Sequence, residues 1–391
     1  MDVWGRVIQT GTETGPEGTN DGDNIILMDL SFKSPDWTYT YTRAIDGENY
    51  SGSNELHRLE LDSIIDGNGS IYLKANSTSA NVWKIWDTKI SNVNDDGARS
   101  IKLEGVTANI ENFASINNTS ASIMTGQYTF ASGNWNYLYF TCDEKASVTS
   151  RKNGTIQCRG NDLNVNYMYA KDHYYGVELK QDYYYSTIYP EVHNISLKNI
   201  IIEGCSTGLT FGYITKDPDE YTTDSFDSIE VDGWRVIDPL YAGVYLVAPH
   251  SIPVKNLTIK NALVTGSSLY GLCGVTSSYF TNVKIENCIF TGSGTADIYS
   301  SGTMSNVSLI NNIYQTESGL SNFATLTTNY DIDDGDPFVG DGDYSPTVGA
   351  STINAGTTIA DYDSDILGND IVTIDIGPFE YGGENYNWTN R

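Results

Sequence analysis

Four short segments in the second half of the sequence share one pattern: a strand of alternating polarity, then asparagine, then a second apolar run. They begin at His193, Val254, Thr281 and Ser305. The first inward residue of each can serve as a register mark. Extended along the chain, these marks fall on Leu, Ile or Val throughout: Leu59, Ile85, Ile110, Leu138, Leu163, Ile195, Ile229, Leu257, Val283 and Val307. Such regular spacing is typical of a solenoid whose repeats stack on one another.

Other positions keep phase with the marks. Two residues after a mark the chain is mostly apolar, which fits a strand that alternates into a core. Nine residues after a mark stands a turn-forming residue every time. Four residues after the later marks stand asparagines, which tolerate left-handed backbone and can hydrogen-bond from rung to rung as a ladder: Asn199, Asn261, Asn287 and Asn311.

An antiparallel sandwich, the alternative all-β fold, does not predict positions that keep phase over ten repeats. The sequence therefore predicts an all-β protein, a single right-handed parallel β-helix of about ten rungs with N- and C-terminal caps. We expect residues 1–56 to form the N-terminal cap, 57–316 the β-helix and 317–391 the C-terminal capping segment, since a solenoid needs both ends covered. The two longest intervals between marks predict loops at 174–191 and 214–226, and a third loop is expected at 125–135.

The net charge of the chain limits which classes of partner it can bind. With 22 basic and 50 acidic residues the net charge is −28, and a field of that sign repels nucleic acid and anionic membranes. Polyanionic substrates are repelled too, unless local basic residues or calcium offset the charge. No apolar run approaches the roughly 18 residues that a membrane span needs, so we expect no membrane insertion.

Cysteine usage and the first residues bear on the compartment. The five cysteines have no CxxC spacing, which indicates neither a zinc site nor a full disulfide framework, so buried free thiols are expected. The first 24 residues show no basic stretch followed by an apolar one, so we expect no signal peptide in this chain. Either a leader has been removed, or the protein leaves its cell by another route, such as inside a virus particle. We expect an extracellular, cell-surface or virion location.

The C-terminal stretch carries a family resemblance. Gly335-Asp-Pro-Phe-Val-Gly-Asp-Gly-Asp-Tyr-Ser-Pro-Thr, Ser351-Thr-Ile-Asn-Ala-Gly and Asp375-Ile-Gly-Pro-Phe-Glu-Tyr resemble the closing segment of right-handed β-helix proteins of the polysaccharide-lyase, adhesin and tailspike kind. This chain departs from that segment at two positions. Thr347 stands where the segment often has Leu or Pro, and Pro378 stands where it usually has Ala. The resemblance implies the fold, and it implies that the protein binds or cleaves glycans outside cells or sits on a virus tail.

Outward positions next to the marks carry the candidate binding residues. Trp86, Phe113 and Tyr139 are expected to face solvent on neighbouring rungs, where their rings could stack on pyranose faces; the alternative is that loops bury them. The tyrosine-rich segment 167–189 is expected to form a wall that contacts the ligand. The expected ligand contacts are Trp86, Phe113, Tyr139, Tyr167, His173, Tyr174, Tyr175 and Arg235.

One charge per rung, alternating in sign, follows at Lys198, Asp232, Lys260 and Glu286. This is either a ladder of surface ion pairs or a catalytic patch. A β-elimination lyase could use Lys198 or Lys260 as its base if burial lowers the lysine pKa. A glycoside hydrolase could use Glu230 and Asp232, whose Cα atoms should be roughly 6.6 Å apart along one strand, near the separation of an inverting pair.

No cofactor is required by these residues, but calcium could bind the clustered carboxylates of Asp331, Asp333 and Asp336. The Gly-His-Gly signature of pectin hydrolases is missing. The leading hypothesis is an extracellular or virion-borne protein that recognises a polysaccharide or cell-surface glycan and could cleave it. The alternatives are a lyase or hydrolase acting on an acidic polysaccharide, and a structural adhesin or tail appendage without activity. A homo-oligomer is compatible with each.

Overall fold

A computed structural model of the chain describes residues 8–10, 26–33, 44–48, 52–63, 69–75, 81–93, 99–118, 122–125, 132–142, 154–182, 192–214, 225–248, 252–275, 278–340, 343–359, 364–367, 369, 371 and 374–380. The chain divides into two compact units. The first comprises residues 1–195 with 202–224, and the second residues 196–201 with 225–391. Both consist of stacked parallel β-coils, and the fold is a right-handed parallel β-helix, as predicted.

The strands up to residue 214 are β1 Ile8–Thr10, β2 Ile26–Met28, β3 Ser31–Lys33, β4 Ile45–Glu48, β5 Gly52–His57, β6 Glu60–Asp62, β7 Ile71–Lys74, β8 Asn81–Ser91, β9 Ile101–Glu104, β10 Thr107–Ile116, β11 Ile123–Thr125, β12 Gly133–Thr141, β13 Gly154–Cys158, β14 Leu163–Lys171, β15 Tyr175–Asp182, β16 Val192–Glu203 and β17 Thr207–Ile214. All belong to the first unit except β16, which contributes residues to both.

The second unit continues with β18 Phe226–Ile237, β19 Ala242–Leu246, β20 Val254–Thr265, β21 Tyr270–Gly274, β22 Phe280–Glu286, β23 Ile289–Thr291, β24 Ala296–Ser300, β25 Met304–Ile310, β26 Ile313–Tyr314, β27 Glu317–Ser318, β28 Phe323–Thr327, β29 Tyr330–Asp331, β30 Phe338–Gly340 and β31 Asp343–Pro346. Two short 3-10 helices, Leu320–Asn322 and Ile332–Asp334, lie among the last strands.

Each coil contributes one short strand to a first sheet and one long, bent strand to a second sheet. In the first unit the first sheet is β1-β4-β7-β9-β11-β13-β15-β17, and in the second unit it is β19-β21-β24-β27. These pairs are parallel, for example β7 with β9 and β21 with β24. Eight strands in one unit and four in the other differ from the expected count of about ten rungs, because parallel pairing begins at β1 and β4, within the segment expected to form the cap.

A left-handed residue bends each long strand, and this corner sets which side chains face the core. In the first unit it falls at Asp87 and Asn112, with φ of 51° and 52°. In the second unit Asn261, Asn287 and Asn311 hold it, with φ between 52° and 55°, which confirms the expected left-handed asparagines. The residue two positions before each corner and the residue one position after it, such as Ile110 and Phe113 around Asn112, both point inward. The corner is therefore the point where period-two alternation breaks.

The expected asparagine ladder is only partly right. Asn261 Nδ2 donates to Asp232 Oδ1 at 2.7 Å, a carboxylate that is not at a corner. The side-chain amide of Asn287 is buried without a hydrogen-bond partner. A side-chain ladder does form at an earlier bend of the same strands, where Asn282 Nδ2 donates to Asn256 Oδ1 at 2.8 Å.

The register marks are right in the second unit and shifted in the first. Ile229, Leu257, Val283 and Val307 pair in successive strands as predicted. In the first unit three marks are wrong: Ile85 pairs with Leu56 rather than Leu59, and Ile110 pairs with Trp135 rather than Leu138. Val165 rather than Leu163 pairs with Trp135. For Leu59 and Leu138 the cause is the corner, which turns two apolar residues three positions apart into the same core. The mark at Leu163 is two residues early on its strand, a shift that keeps the alternation.

The core is apolar and continuous within each unit. Leu56, Ile85 and Ile110 line it in the first unit, and Leu257, Ile259 and Ile285 in the second, all fully buried. All five cysteines, Cys142, Cys158, Cys205, Cys273 and Cys288, are buried free thiols, as expected. Burial raises the pKa of Cys158 to about 11, which keeps that thiol protonated and unreactive.

The expected loops coincide with strands at their borders. The loop predicted at 174–191 is wrong over its first part, because β15 runs through Tyr175–Asp182 and pairs with β13 and β17. Residues 183–190 lie outside the described part of the chain. The loops predicted at 125–135 and 214–226 likewise begin and end in strands, and their middles, 126–131 and 215–224, are not described.

The closing segment lies along one side of the last coils. Ile366 and Ile376 pack with Leu263, Ile289 and Ile313, three outward residues that follow the corners of successive strands. Asn311 ties the segment to its corner, because its amide donates to the carbonyl of Thr357 at 2.8 Å and accepts from the Thr357 amide. Residues 317–391 as a capping segment and 1–56 as an N-terminal cap stay predictions. Among the described residues, no helix has the length and apolarity that crossing a membrane requires.

Candidate functional sites

Two residues of the predicted charge ladder, Lys260 and Glu286, line an open groove on the second unit. Asp232, Lys260 and Glu286 pair in successive strands, as expected from the sequence. The groove has a volume of about 290 Å³. We call it the charged groove, and its walls are Ser228, Ile229, Glu230, Asn256, Thr258, Lys260, Lys284 and Glu286.

Ion pairs hold the lysines of this groove. Lys260 Nζ lies 3.0 Å from Glu230 Oε1 and 3.6 Å from Asp232 Oδ2, and Lys198 Nζ lies 3.2 Å from Glu230 Oε2. Burial by itself lowers the pKa of Lys260, but Asp232 and Glu230 together raise it above its ordinary value. A lowered pKa was the condition under which Lys260 could act as a lyase base, and the direction of its shift does not favour that condition.

Two carboxyls of the charged groove differ in protonation tendency. Burial raises the pKa of Glu286, despite the opposing effect of Lys284 and Lys260. Burial also acts to raise the pKa of Glu230, but hydrogen bonds and charge from Lys260 and Lys198 outweigh it and lower that pKa. Two carboxyls whose pKa values are shifted in opposite directions have the tendencies of the proton donor and the ionised partner that glycoside hydrolysis uses. Asp232, which we expected to partner Glu230, lies instead against Lys260 and Asn261.

The first unit carries two stacked tyrosine pairs on neighbouring strands. Tyr137 and Tyr167 stack with ring centroids 5.1 Å apart and planes 4° from parallel. Tyr139 and Tyr169 stack at 5.4 Å and 16°. Register explains both pairs, because Tyr139 lies directly opposite Tyr169 in the parallel strands β12 and β14. We call these four residues the tyrosine shelf. Tyr139 was expected to be exposed, and Tyr167 was expected in a loop rather than on a strand.

One side of the tyrosine shelf is open. On the preceding strand Ala114 pairs with Tyr139, and Asn112 lies opposite Tyr137. Neither residue has a ring, and Asn112 Nδ2 turns away to donate to Asp87 Oδ1 at 2.9 Å. The ring faces of Tyr139 and Tyr137 on that side are therefore uncovered, and the two residues are 46% and 50% exposed. They form a flat apolar surface above a step of short side chains.

Polar groups surround the tyrosine shelf. The Tyr169 hydroxyl donates to Glu203 Oε2 at 2.8 Å, and Lys171 Nζ donates to Glu203 Oε1 at 2.6 Å. Burial, together with the hydrogen bond to Glu203, raises the pKa of Tyr169 well above its ordinary value. These bonds fix the rear ring and hence the stack in front of it. On the open side, Glu111 and Asn136 pair in adjacent strands and point outward.

The other expected ligand contacts are dispersed. Trp86 is half-buried, with His57 packed on its ring at 4.1 Å. Phe113 is 1% exposed, so its predicted outward orientation is wrong; the corner at Asn112 turns it inward. His173 is fully buried and Tyr174 nearly so, which corrects their expected place in a solvent-facing wall. Burial lowers the pKa of His173 to about 3, so it stays neutral.

The last two expected ligand contacts, Tyr175 and Arg235, lie apart from each other, in different units. Tyr175 begins strand β15, and its ring meets that of Tyr174 edge-on at 4.4 Å. Arg235 follows the Gly233 corner on the second unit, and with its neighbours it lines a small pocket beneath the closing segment.

Two of the predicted calcium ligands, Asp331 and Asp336, accept hydrogen bonds from backbone amides. Asp331 Oδ1 accepts from the Asp333 amide at 3.0 Å, and Asp336 Oδ1 accepts from the Phe338 amide at 3.0 Å. Within the described ranges, no three His, Cys, Asp or Glu side chains come together as a metal site would require. Calcium at Asp331, Asp333 and Asp336 thus stays a prediction without geometric support.

Two buried ion pairs on the first sheet of the first unit were not predicted from the sequence. Lys102 Nζ lies 2.8 Å from Glu104 Oε1, and the Tyr72 hydroxyl donates to Glu104 Oε2 at 2.8 Å. Lys180 Nζ lies 3.6 Å from Glu178 Oε2 on a later strand. The signal was present in Lys102-Leu-Glu104 and Glu178-Leu-Lys180, which place charges on alternate positions of two strands.

The charged groups of these ion pairs are buried and do not face solvent or a ligand. Lys102, Glu104, Glu178 and Lys180 are each at most 9% exposed. Burial lowers the pKa of Lys102, although Glu104 opposes the shift. A lysine with a lowered pKa can act as a base, but here the ion pair holds its ammonium and solvent scarcely reaches it. Each pair is therefore an internal ion pair within its own strand.

Comparison with known proteins gives likenesses of fold alone. No protein-family model and no curated protein sequence matches the chain. Among solved structures, a double mutant of the tailspike protein of E. coli bacteriophage HK620, in complex with a pentasaccharide, is similar over 74% of this chain and 54% of its own, at 11% identity and a TM-score of 0.41. The chain thus spans about half the length of that tailspike chain.

Two further structures resemble the chain. Pectate lyase Pel9A is similar over 90% of this chain and 87% of its own, with 12% identity and a TM-score of 0.41. The catalytic unit of a thermostable GH87 alpha-1,3-glucanase from Streptomyces thermodiastaticus is similar over 78% of this chain and 62% of its own, with 11% identity and a TM-score of 0.38.

Proposed function

We propose that the protein recognises a glycan outside the cell or on a virion, and that the tyrosine shelf is its binding surface. The observation that carries this proposal is the pair of uncovered ring faces of Tyr137 and Tyr139 above Asn112 and Ala114. The apolar faces of pyranose rings stack on flat aromatic rings, and tyrosine adds contact area at low entropic cost.

The surroundings of the tyrosine shelf support the same ligand class. A sugar lying over Ala114 would have the Glu111 carboxylate and the Asn136 amide beside it. Both can accept hydrogen bonds from hydroxyl groups, and the amide can also donate. A few placed polar groups around an apolar platform are what orient a ligand in a binding site. The rear tyrosines are held by stacking and by Glu203, so the surface is ordered before a ligand binds, which lowers the entropic cost of association.

The test is binding of the full chain to a panel of immobilised polysaccharides and cell-surface glycans, followed by calorimetry with the best ligand. Tyr139→Leu keeps apolar bulk over Tyr169 but removes the flat face, and it should weaken binding at least about tenfold, or ~1.4 kcal/mol. Tyr279→Leu is the matched control. It makes the same substitution at a 42% exposed tyrosine outside the tyrosine shelf and should leave the affinity unchanged.

Two results would contradict the proposal. If the wild-type protein binds no glycan in the panel, a spacer or adhesin without this recognition is the better account. If Tyr139→Leu binds as tightly as the wild type, the glycan lies elsewhere on the molecule.

Glycoside hydrolysis in the charged groove is a second candidate function. The opposite pKa shifts of Glu286 and Glu230 favour it, with Glu286 as the proton donor and Glu230 as the ionised partner. The raised pKa of Lys260 disfavours a lyase that uses this lysine as its base. Incubation with the same panel should release reducing ends, and Glu286→Gln should abolish the release while glycan binding persists. Release that is unaffected by Glu286→Gln excludes this assignment.

A further inference from the structure

A small pocket lies on the second unit between the bent strands and the closing segment. Its floor is formed by the strand residues Ile201, Arg235 and Leu263, and its roof by Ile366, Leu367 and Phe379 of the closing segment. The volume is about 50 Å³, which is room for several waters or for a group of roughly three or four heavy atoms. The walls are mostly apolar.

A missing side chain opens this pocket. Gly233 occupies the corner of its strand with φ of 67°, and it lines the pocket. The corners of the following strands hold Asn261, Asn287 and Asn311 in the same left-handed conformation. An asparagine therefore fits the backbone at this corner, and glycine here leaves a space where the neighbouring coils have an amide.

The arginine in the pocket has a polar atom without a partner. Arg235 pairs in register with Leu263, and Leu263 in turn with Ile289, so the guanidinium stands at the head of an otherwise apolar row. Its Nε is buried and makes no hydrogen bond. A buried donor of a charged group that lacks a hydrogen-bond partner destabilises the folded state, because nothing offsets the loss of its hydration. A leucine in the row would avoid that cost, so packing alone does not account for the arginine.

We propose that this pocket binds a carboxylate carried on a short apolar stem. The carboxylate would accept a hydrogen bond from Arg235 Nε, since guanidinium N–H groups match carboxylate oxygens in geometry and charge. The stem would lie against Leu263, Leu367 and Phe379. A free short-chain carboxylate and a carboxylate-bearing substituent of a glycan share this chemistry. The proposal does not rest on the tyrosine shelf, which lies in the other unit.

The test measures binding of two probes to the full chain, by calorimetry and by ligand-dependent shifts of the unfolding temperature. The probes are acetate and a methyl glycoside that carries a carboxymethyl ether, so both present a carboxylate on a one-carbon apolar stem. The wild type should bind at least one probe. Acetate binding points to a free carboxylate as the ligand, and binding of the carboxymethyl glycoside alone points to a glycan substituent.

Two variants locate the site. Gly233→Asn fills the pocket with the residue that the neighbouring corners use, and only the Asn199 side chain, 3.1 Å from the added Cβ, must shift slightly. Arg235→Leu extends the apolar row and should keep or raise the unfolding temperature. Both should weaken probe binding at least tenfold.

Val348→Ser serves as the control, because Val348 is 82% exposed and does not line the pocket, so this variant should leave probe binding unchanged. The variants and probes of this test are not those of the glycan test. Failure of the glycan proposal and failure of this one are thereby distinguishable. Absence of binding by the wild type to both probes overturns the proposal, and so does binding that survives Arg235→Leu.

Discussion

At the scale of single residues, the left-handed corner does most to determine which side chains face the core. Asparagine four residues after the later marks was sufficient to predict the corner at Asn261, Asn287 and Asn311, because few residues other than glycine adopt that conformation at low cost. The corners at Tyr137 and Arg58 could not be predicted in the same way. Neither residue type favours positive φ, so tertiary pairing with the adjacent strands imposes it.

Asn287 separates the conformational role of a corner from hydrogen bonding. It is fully buried with φ of 52°, and neither of its amide atoms has a partner. Asn287→Gly keeps the left-handed conformation at low strain, whereas Asn287→Ala forces a Cβ into it. We expect the alanine variant to be less stable than the glycine variant by about 1–2 kcal/mol in urea unfolding. Equal stabilities would show that the corner does not select the residue.

At the scale of elements, the repeat was predictable and its register was not. Period-two alternation correctly placed Ile229, Leu257, Val283 and Val307 opposite one another. It failed at Leu59 and Phe113, because both lie just past a corner where alternation restarts. The closing segment was expected to cap the helix. Its packing along the outward row of Leu263, Ile289 and Ile313 depends on contacts far apart in sequence, which spacing alone does not specify.

Carboxyl groups anchor the closing segment and should make its docking depend on pH. Asp365 accepts four hydrogen bonds, including those from the Leu367 and Glu380 amides. Burial, with the charges of Asp375 and Asp365, raises the pKa of Glu380 from 4.5 to about 7. The folded protein then binds the Glu380 proton more tightly than the unfolded chain does. The stability from this group is complete below about pH 4.5 and is lost as the pH rises through about 7.

Glu380→Gln is the variant that isolates this effect, because the amide cannot ionise. The free energy of unfolding of the wild type should fall relative to that of Glu380→Gln between pH 5 and pH 8. Denaturant unfolding of both proteins at the two pH values measures the difference. A difference between the two proteins that is the same at pH 5 and pH 8 would mean that Glu380 has an ordinary pKa in the folded chain.

At the scale of the whole molecule, solenoid stacking aligns side chains from adjacent coils into rows, and function is proposed for two such rows. The row of alternating charge was predicted from the sequence, since Lys198, Asp232, Lys260 and Glu286 recur at one position of the repeat, and two of these residues, Lys260 and Glu286, line the charged groove. The tyrosine shelf was predicted only at Tyr139 and Tyr167. Tyr137 and Tyr169 were missed because their outward orientation depends on the corner, which shifts the register in this part of the chain.

The measurement that tests the central claim most directly is glycan affinity after Ala114→Leu. Ala114 lies outward on its strand, opposite Tyr139, and leaves the ring face open. A leucine there covers that face while all four tyrosines remain. Calorimetry should show at least about tenfold weaker glycan binding, ~1.4 kcal/mol, with an unchanged unfolding temperature. Wild-type affinity in this variant would contradict glycan recognition on the tyrosine shelf.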